Sequence, residues 1–322
     1  MSKAAPATAA GRGIALMCAG VFSMLGLDVA AKWLLATYDL GQLVMLRCLF
    51  SVALILLYAW YRAEPGALRT GRPLWHALRS LIMAGSMFAF FYALPRMPLA
   101  DVLVLAFAAP LIVTALSWPL LGERVGLWRW VAVLAGFAGV LVVLRPGAGL
   151  IEPAALFALG GAFLYALLSL SARRLSDTES ALALSLYLFP APMLISVPMA
   201  LGSWVAPQPL DWLLFAACGF FGGLAFVFMT SAFRHAPAAM LVPFEYTGLV
   251  WAAGAGYLIW GEVPGLSTWL GGALIMASGL FILYRETRVH RAQPQADFPL
   301  QESVVPTAGR PDRGRRDAGG LG

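Results

Sequence analysis

Long apolar runs alternate with short polar breaks along most of the chain, and the runs are too long for strands or ordinary core helices. A helix needs about 20 mostly apolar residues to cross a hydrocarbon core. Ten windows qualify: 13–35, 41–60, 75–95, 99–120, 127–144, 153–172, 181–202, 212–233, 238–260 and 265–284. The turns between them carry glycine or proline, as at Pro65-Gly66, Pro95 to Pro98, Gly122 to Gly126, Pro146-Gly147, Pro207 to Pro209, Pro237 and Pro264-Gly265. No segment between the windows is long enough for a soluble domain. The pattern predicts an all-α polytopic membrane protein with ten transmembrane helices.

Composition agrees. Of 322 residues, 61% are hydrophobic and only 12% are charged, against roughly half and a quarter in a soluble domain. Three cysteines, Cys18, Cys48 and Cys218, all lie in apolar stretches, which excludes a disulfide scaffold. The formal charge of +6 invites a nucleic-acid reading. The arginines, however, sit singly or in small groups between apolar runs and build no basic face, so no nucleic-acid partner is expected. Lys3 and Arg12 precede the first run as they would in a signal peptide. That run is long, lacks a convincing cleavage site and is followed by nine more, so it is read as a span.

Short loops rich in Arg and Lys stay on the cytoplasmic side. With the amino terminus inside, that side receives Lys3, Arg12, Arg62, Arg69, Arg72, Arg124, Arg173, Arg174, Arg234 and the tail arginines, while the other side receives Arg96 and Arg145. Both termini are expected in the cytoplasm of a multi-pass inner-membrane protein. Residues 1–12 form the cytoplasmic amino-terminal segment. Residues 285–322 are nearly empty of large apolar side chains and are expected to be a disordered tail. Arg285, Arg288 and Arg291 at its root suit the anionic headgroups of membrane lipids.

Subtracting positions exposes an internal repeat at a constant offset of 139. Pro98 falls on Pro237, Ala100 on Ala239, Gly122-Glu123 on Gly261-Glu262, Gly126-Leu127 on Gly265-Leu266 and Trp130 on Trp269. The repeats are 13–146 and 153–284, with five spans each. Five is odd, so the second copy must lie inverted relative to the first. Inverted repeats recur in secondary transporters, with the substrate near the midplane between the halves.

Two stretches carry a family resemblance. "ALPRMPLADVLVLAFAAPLIVTALSWPLLGERVGLWRWVAVLAGFAGVLVV" (93–143) resembles the second half of an EamA domain, and "AFRHAPAAMLVPFEYTGLVWAAGAGYLIWGEVPGLSTWLGGALIMASGLFI" (232–282) resembles the same half again. An Ala-Pro-rich opening, a terminal Gly-Glu turn and a Gly-rich helix are marks of the drug/metabolite transporter superfamily. The resemblance covers about 13–284. It implies a ten-helix carrier with a central cavity that moves small metabolites without ATP. Members carry amino acids, nucleosides, vitamins, sugars and methyl donors, so it is nearly silent about substrate.

A charge at the centre of a membrane helix costs on the order of 2.5–3.5 kcal/mol, so each one needs a reason. Asp28 and Lys32 stand four apart on one face of the first helix; they read either as a self-neutralising pair snorkelling to the outer interface or as cavity residues. Arg47 reads as a clamp to Asp28 or helix ends, or as a fork for an anionic substrate group. His76 and Arg79 open the third helix at the interface, from which Arg79 can reach inward. Asp101 and Asp211 read as capping or interfacial residues. Glu245 follows Pro243, which should kink the ninth helix, and precedes Tyr246. It reads either as a partner of Arg47 or Arg79, or as a substrate or proton site. Tyr92, Tyr246 and Trp251 are aromatic lining candidates, with belt or lipid-facing positions as the alternative. The expected substrate-binding set is therefore Asp28, Lys32, Arg47, Arg79, Tyr92, Glu245, Tyr246 and Trp251. Glu123 and Glu262 occur in both copies and read as caps of the helices that follow.

Rival functions lack their residues. The only lysines, Lys3 and Lys32, follow no G-x-x-x-x-G pattern, and neither H-E-x-x-H nor G-x-S-x-G occurs. An enzyme, a nucleotide-driven pump, a cofactor and a metal site are not expected. The expected function is secondary transport of a small-molecule metabolite, with a proton as the candidate coupling ion and no motif that sets an oligomeric state. A lipid-linked flippase or lipid-modifying membrane protein is the alternative.

Overall fold

The computed structural model describes residues 7–62, 68–122, 126–145, 152–175, 178–236 and 238–292. Every regular element among them is helical. Seven spans are single helices: α1 (Ala7–Leu34), α2 (Leu40–Arg62), α3 (Pro73–Ala93), α6 (Leu127–Leu144), α7 (Pro153–Leu175), α10 (Pro209–His235) and α13 (Leu266–Ala292). Three are broken: α4 (Leu99–Ala106) with α5 (Ala109–Leu121), α8 (Ala181–Leu186) with α9 (Pro190–Gly202), and α11 (Ala238–Glu245) with α12 (Thr247–Trp260). Nine spans among the described residues are long and apolar enough to cross a membrane. The tenth is the α11–α12 pair.

Two breaks follow from proline. A proline ring collides with the carbonyl four residues earlier. Pro110 therefore ends α4 at Ala106, and Pro190 ends α8 at Leu186. The ninth span differs from expectation. Pro243 lies inside α11, and the interruption comes three residues later at Tyr246. That position is equivalent, 139 residues on, to Phe107, the residue that closes α4. The repeat sets the break there, and the Thr247 hydroxyl donates to the Phe244 carbonyl it frees, at 2.6 Å.

The expected cytoplasmic tail begins later than 285, because α13 continues to Ala292. Arg285, Glu286, Thr287 and Arg288 contain no breaker, and the first proline is Pro294. The remainder of the tail, Glu123, Arg124 and Pro146-Gly147 lie outside the described residues.

The two halves are related by a pseudo-two-fold axis that appears in the packing itself. α1 packs on α10, and its equivalent α7 packs on α3. α2 meets α10 as α9 meets α3. α1 touches α11 and α12 as α7 touches α4 and α5, while α2 with α9, α4 with α12 and α6 with α13 pair across the axis. Gly122 and Gly261 end α5 and α12 with φ of 70° and 68°, a left-handed turn that only glycine enters without strain. α6 and α13 cross almost backbone to backbone: a Cβ on Gly139 would stand 2.8 Å from the Gly271 carbonyl oxygen.

Exposure refines the repeat near its start. On α1 the exposed Ala15, Phe22 and Trp33 form one stripe, and on α7 the exposed Leu156, Phe163 and Arg174 form its equivalent, at an offset of 141. Met24 and Tyr165, again 141 apart, are 44% and 52% exposed on the opposite faces. Each of these two helices thus has one outward face and one face open to the interior. At the 141 register the equivalents of Asp28 and Lys32 are Ser169 and Arg173, where the 139 offset would give Leu167 and Ser171.

Candidate functional site

α1 finishes at the distal end of the bundle. Lys32, buried one turn from it, does not pair with Asp28. Its Nζ donates to Glu262 Oε1 at 2.5 Å and to the Met97 carbonyl at 2.7 Å, and stands 5.1 Å from the Trp260 ring centre. Glu262 Oε2 accepts from the Leu99 amide at 2.8 Å. Glu262 thus caps α4 of the other repeat, not the helix that follows it, because the antiparallel halves bring the α12–α13 turn against the start of α4. Asp101 beside it accepts from Thr268 Oγ1 at 2.5 Å. Lys32 and Glu262 form a distal tie between the halves. Arg173 and Glu123 stand at the equivalent sequence positions, and neither side chain is among those described.

Arg79 is occupied too. Buried on α3, it donates through Nε to Ser171 Oγ at 3.0 Å and reaches the Leu184 carbonyl at 3.5 Å. Ser80 next to it serves the break in the seventh span, donating to the Leu188 carbonyl and accepting from the Ala191 amide at 3.1 and 2.8 Å. His76 approaches Glu179 at 3.3 Å without the alignment of a hydrogen bond. Asp211, in the first turn of α10, accepts from the Tyr38 hydroxyl.

Two of the aromatic candidates face elsewhere. Tyr92 stacks on Phe157 at 4.4 Å between centroids and lies under the Arg96 guanidinium at 3.7 Å, at the distal end of α3. Trp251, 49% exposed, meets Phe22 edge to face at 6.0 Å, and Phe22 belongs to the outward stripe of α1.

Three charged groups remain. Asp28 is only 4% exposed and takes no hydrogen bond or ion pair from any described residue. It lies six residues from the end of α1, about 9 Å in at 1.5 Å per residue. Arg47 on α2 stands at similar depth, within electrostatic range of Asp28 but not in contact with it. Its guanidinium packs over Phe91 at 4.9 Å, and its Nε is buried with no hydrogen-bond partner. Cys218 of α10 feels both charges and donates weakly to the Leu27 carbonyl at 3.7 Å.

Glu245 is the third, half-buried at the end of α11 and likewise without a partner among the described residues. It stands about 10 Å from the opposite end of the bundle. Tyr246 and Tyr165 lie within range of its charge. Tyr246 meets Phe107 edge to face at 5.3 Å, so the breaks of the fourth and ninth spans touch at mid-depth. Asp28, Arg47 and Glu245 therefore keep no hydrogen-bonded or ionic partner among the described residues, with Tyr246 next to Glu245, while Lys32, Arg79, Tyr92 and Trp251 serve contacts elsewhere. Tyr165, Phe107 and Phe91 join the site without having been expected. Tyr165 becomes visible in the sequence once the 141 register sets it opposite the outward stripe.

Among the described residues no cluster of histidine, cysteine and carboxylate could hold a metal ion. The arrangement offers buried charges of opposite sign without partners among the described residues, Asp28 and Arg47 toward one end and Glu245 toward the other.

Residues 11–145 and 152–284 each match the EamA-like transporter family. An S-adenosylmethionine uptake transporter of Rickettsia prowazekii is 30% identical over 81% of this chain and 88% of its own. A riboflavin transporter of Vibrio cholerae is 32% identical over 76% and 82%, and a pseudopaline exporter of Pseudomonas aeruginosa 30% over 83% and 94%. A solved crystal structure, 21% identical, superposes with a TM-score of 0.60 over 88% of this chain and 98% of that one, which bears on fold alone. With both halves matched and relatives similar along most of their length, the chain belongs to the EamA-like transporter family.

Proposed function

We propose that this family member is a secondary carrier of a small polar metabolite, working by alternating access without ATP, with both termini in the cytoplasm of the inner membrane. One observation carries the reading: Asp28, Arg47 and Glu245 lie inside the apolar spans with no hydrogen bond or ion pair among the described residues. Unpaired charges at such depth are costly, and a passing solute or coupling proton gives them a purpose. The inverted repeat supplies the moving parts, since rocking one half on the other exchanges which end is closed.

The relatives are named for cargoes of different chemistry: S-adenosylmethionine, riboflavin and pseudopaline. That range supports small-metabolite transport as the reading and leaves the cargo of this chain to experiment. Uptake of radiolabelled solutes into proteoliposomes of the purified protein, with no nucleotide present, tests the reading. Accumulation or exchange of at least one soluble metabolite is expected. Movement of a lipid-linked headgroup with no soluble solute moved would overturn it in favour of a flippase.

A further inference from the structure

The unpaired charges of the interior fall into two sets. Asp28 and Arg47 stand together about 10 Å from the distal end, and Glu245 about 10 Å from the other. Spans of 23 residues, such as α2, are about 34 Å long, so the two sets are on the order of 10–15 Å apart along the helix axes. Their chemistry differs. The distal set holds one carboxylate and one guanidinium that do not touch. The other holds one carboxylate with tyrosines and, through Tyr246, Phe107 nearby.

We propose that the interior binds an amino-acid-type zwitterion bearing an additional cation, its head at Asp28 and Arg47 and its second positive charge at Glu245. The proposal deepens the carrier reading and rests on it. A carboxylate fits the fork of Arg47, whose buried Nε lacks an acceptor, and an ammonium fits Asp28, whose carboxylate lacks a donor. If the two residues paired with each other the head site would be closed. They do not.

The lack of a donor at Glu245 then selects the rest of the solute. Arg79, at a depth like that of Glu245, spends its bonds on Ser171 and the Leu184 carbonyl, so Glu245 has no donor among the described residues, and a head group held at Asp28 and Arg47 does not supply one. A second cation at Glu245 does. The tyrosine rings beside it add cation–π attraction or a stacking face for an attached ring. A neutral ring system with no amino-acid head leaves Arg47 unmet, and an anionic solute leaves both carboxylates unmet.

Counterflow in proteoliposomes preloaded with unlabelled solute tests this, with four probes compared as competitors. S-adenosylmethionine has the head and the cation; S-adenosylhomocysteine has the head without the cation; adenosine has neither; riboflavin is a neutral ring system without the head. For the wild type, S-adenosylmethionine should compete better than S-adenosylhomocysteine by about tenfold or more, and better still than adenosine. In Glu245→Gln that ratio should fall toward one. In Arg47→Lys both head-bearing solutes should weaken together, since a point charge replaces the fork, while adenosine stays unchanged. The ratios do not depend on how much protein folds. Equal competition by S-adenosylmethionine and adenosine in the wild type, or an unchanged ratio in Glu245→Gln, overturns the proposal. Exchange of riboflavin alone overturns it while the carrier reading stands, whereas exchange of no solute counts against the carrier reading itself.

Discussion

Phe107 and Tyr246 occupy equivalent positions in the two repeats and touch each other edge to face at the centre of the bundle, 5.3 Å between ring centroids. Each stands where its span is interrupted, so the two halves share an aromatic contact at their breaks. The Tyr246 hydroxyl lies against Gly279 of α13, where an added Cβ would collide with it.

That contact makes a double-mutant test available. Gly279→Ala should displace the Tyr246 ring and slow exchange of whichever solute the carrier moves. Tyr246→Phe, which removes the colliding oxygen, should restore most of the rate in the Gly279→Ala background. Initial rates of counterflow for the two single variants and the double variant check it. Additive losses would place the effect of Gly279 elsewhere.

The distal tie between Lys32 and Glu262 should matter for stability. Glu262→Gln leaves a buried lysine with only the Met97 carbonyl, and stranding a buried charge costs about 3 kcal/mol or more. Adding Lys32→Met should recover much of that loss, because the side-chain oxygen that Glu262→Gln retains still serves the Leu99 amide. Thermal unfolding of the three variants in detergent gives the comparison, and a double variant no more stable than Glu262→Gln would refute the tie.

At the opposite end, Glu179 lies outside the spans in the turn after α7. Burial works against its ionisation, yet hydrogen bonds from Thr70 and the Gly71 amide, with the His76 ring beside it, hold its carboxyl below the usual range. A lowered value in the folded state gives stability that is present above the unfolded value and is lost as pH falls through the folded one. The protein should therefore keep this contribution at neutral pH and lose it below about pH 4. Glu179→Gln should be less stable at neutral pH and show a shallower acid slope. Thermal midpoints between pH 7 and pH 3.5 measure both, and equal slopes would dismiss Glu179 as a source.

The fold was legible because membrane insertion leaves a coarse signal: runs of about 20 apolar residues and the paired Gly-Glu turns. The site was legible only in part. Asp28, Arg47 and Glu245 stood out because a charge in an apolar run is conspicuous. The same signal drew in Lys32 and Arg79, whose partners Glu262 and Ser171 lie 230 and 92 residues away in the sequence and become neighbours only when helices pack. Tyr165 was silent for the opposite reason. An aromatic in an apolar helix carries no sign of which way it faces until an outward stripe fixes the register. Glu262 was expected to cap its own helix, and only the antiparallel halves explain why it caps α4.

The central claim is that the unpaired charges, Glu245 above all, serve transport and not structure. If a proton and the solute compete for the Glu245 carboxylate, Glu245→Gln should remain inserted and folded, with net uptake driven by an imposed pH gradient abolished. Uptake by wild type and Glu245→Gln proteoliposomes across such a gradient, without ATP, is the direct measurement. The account predicts gradient-driven uptake in the wild type alone. Equal uptake with the same pH dependence in both would contradict it and assign Glu245 to structure.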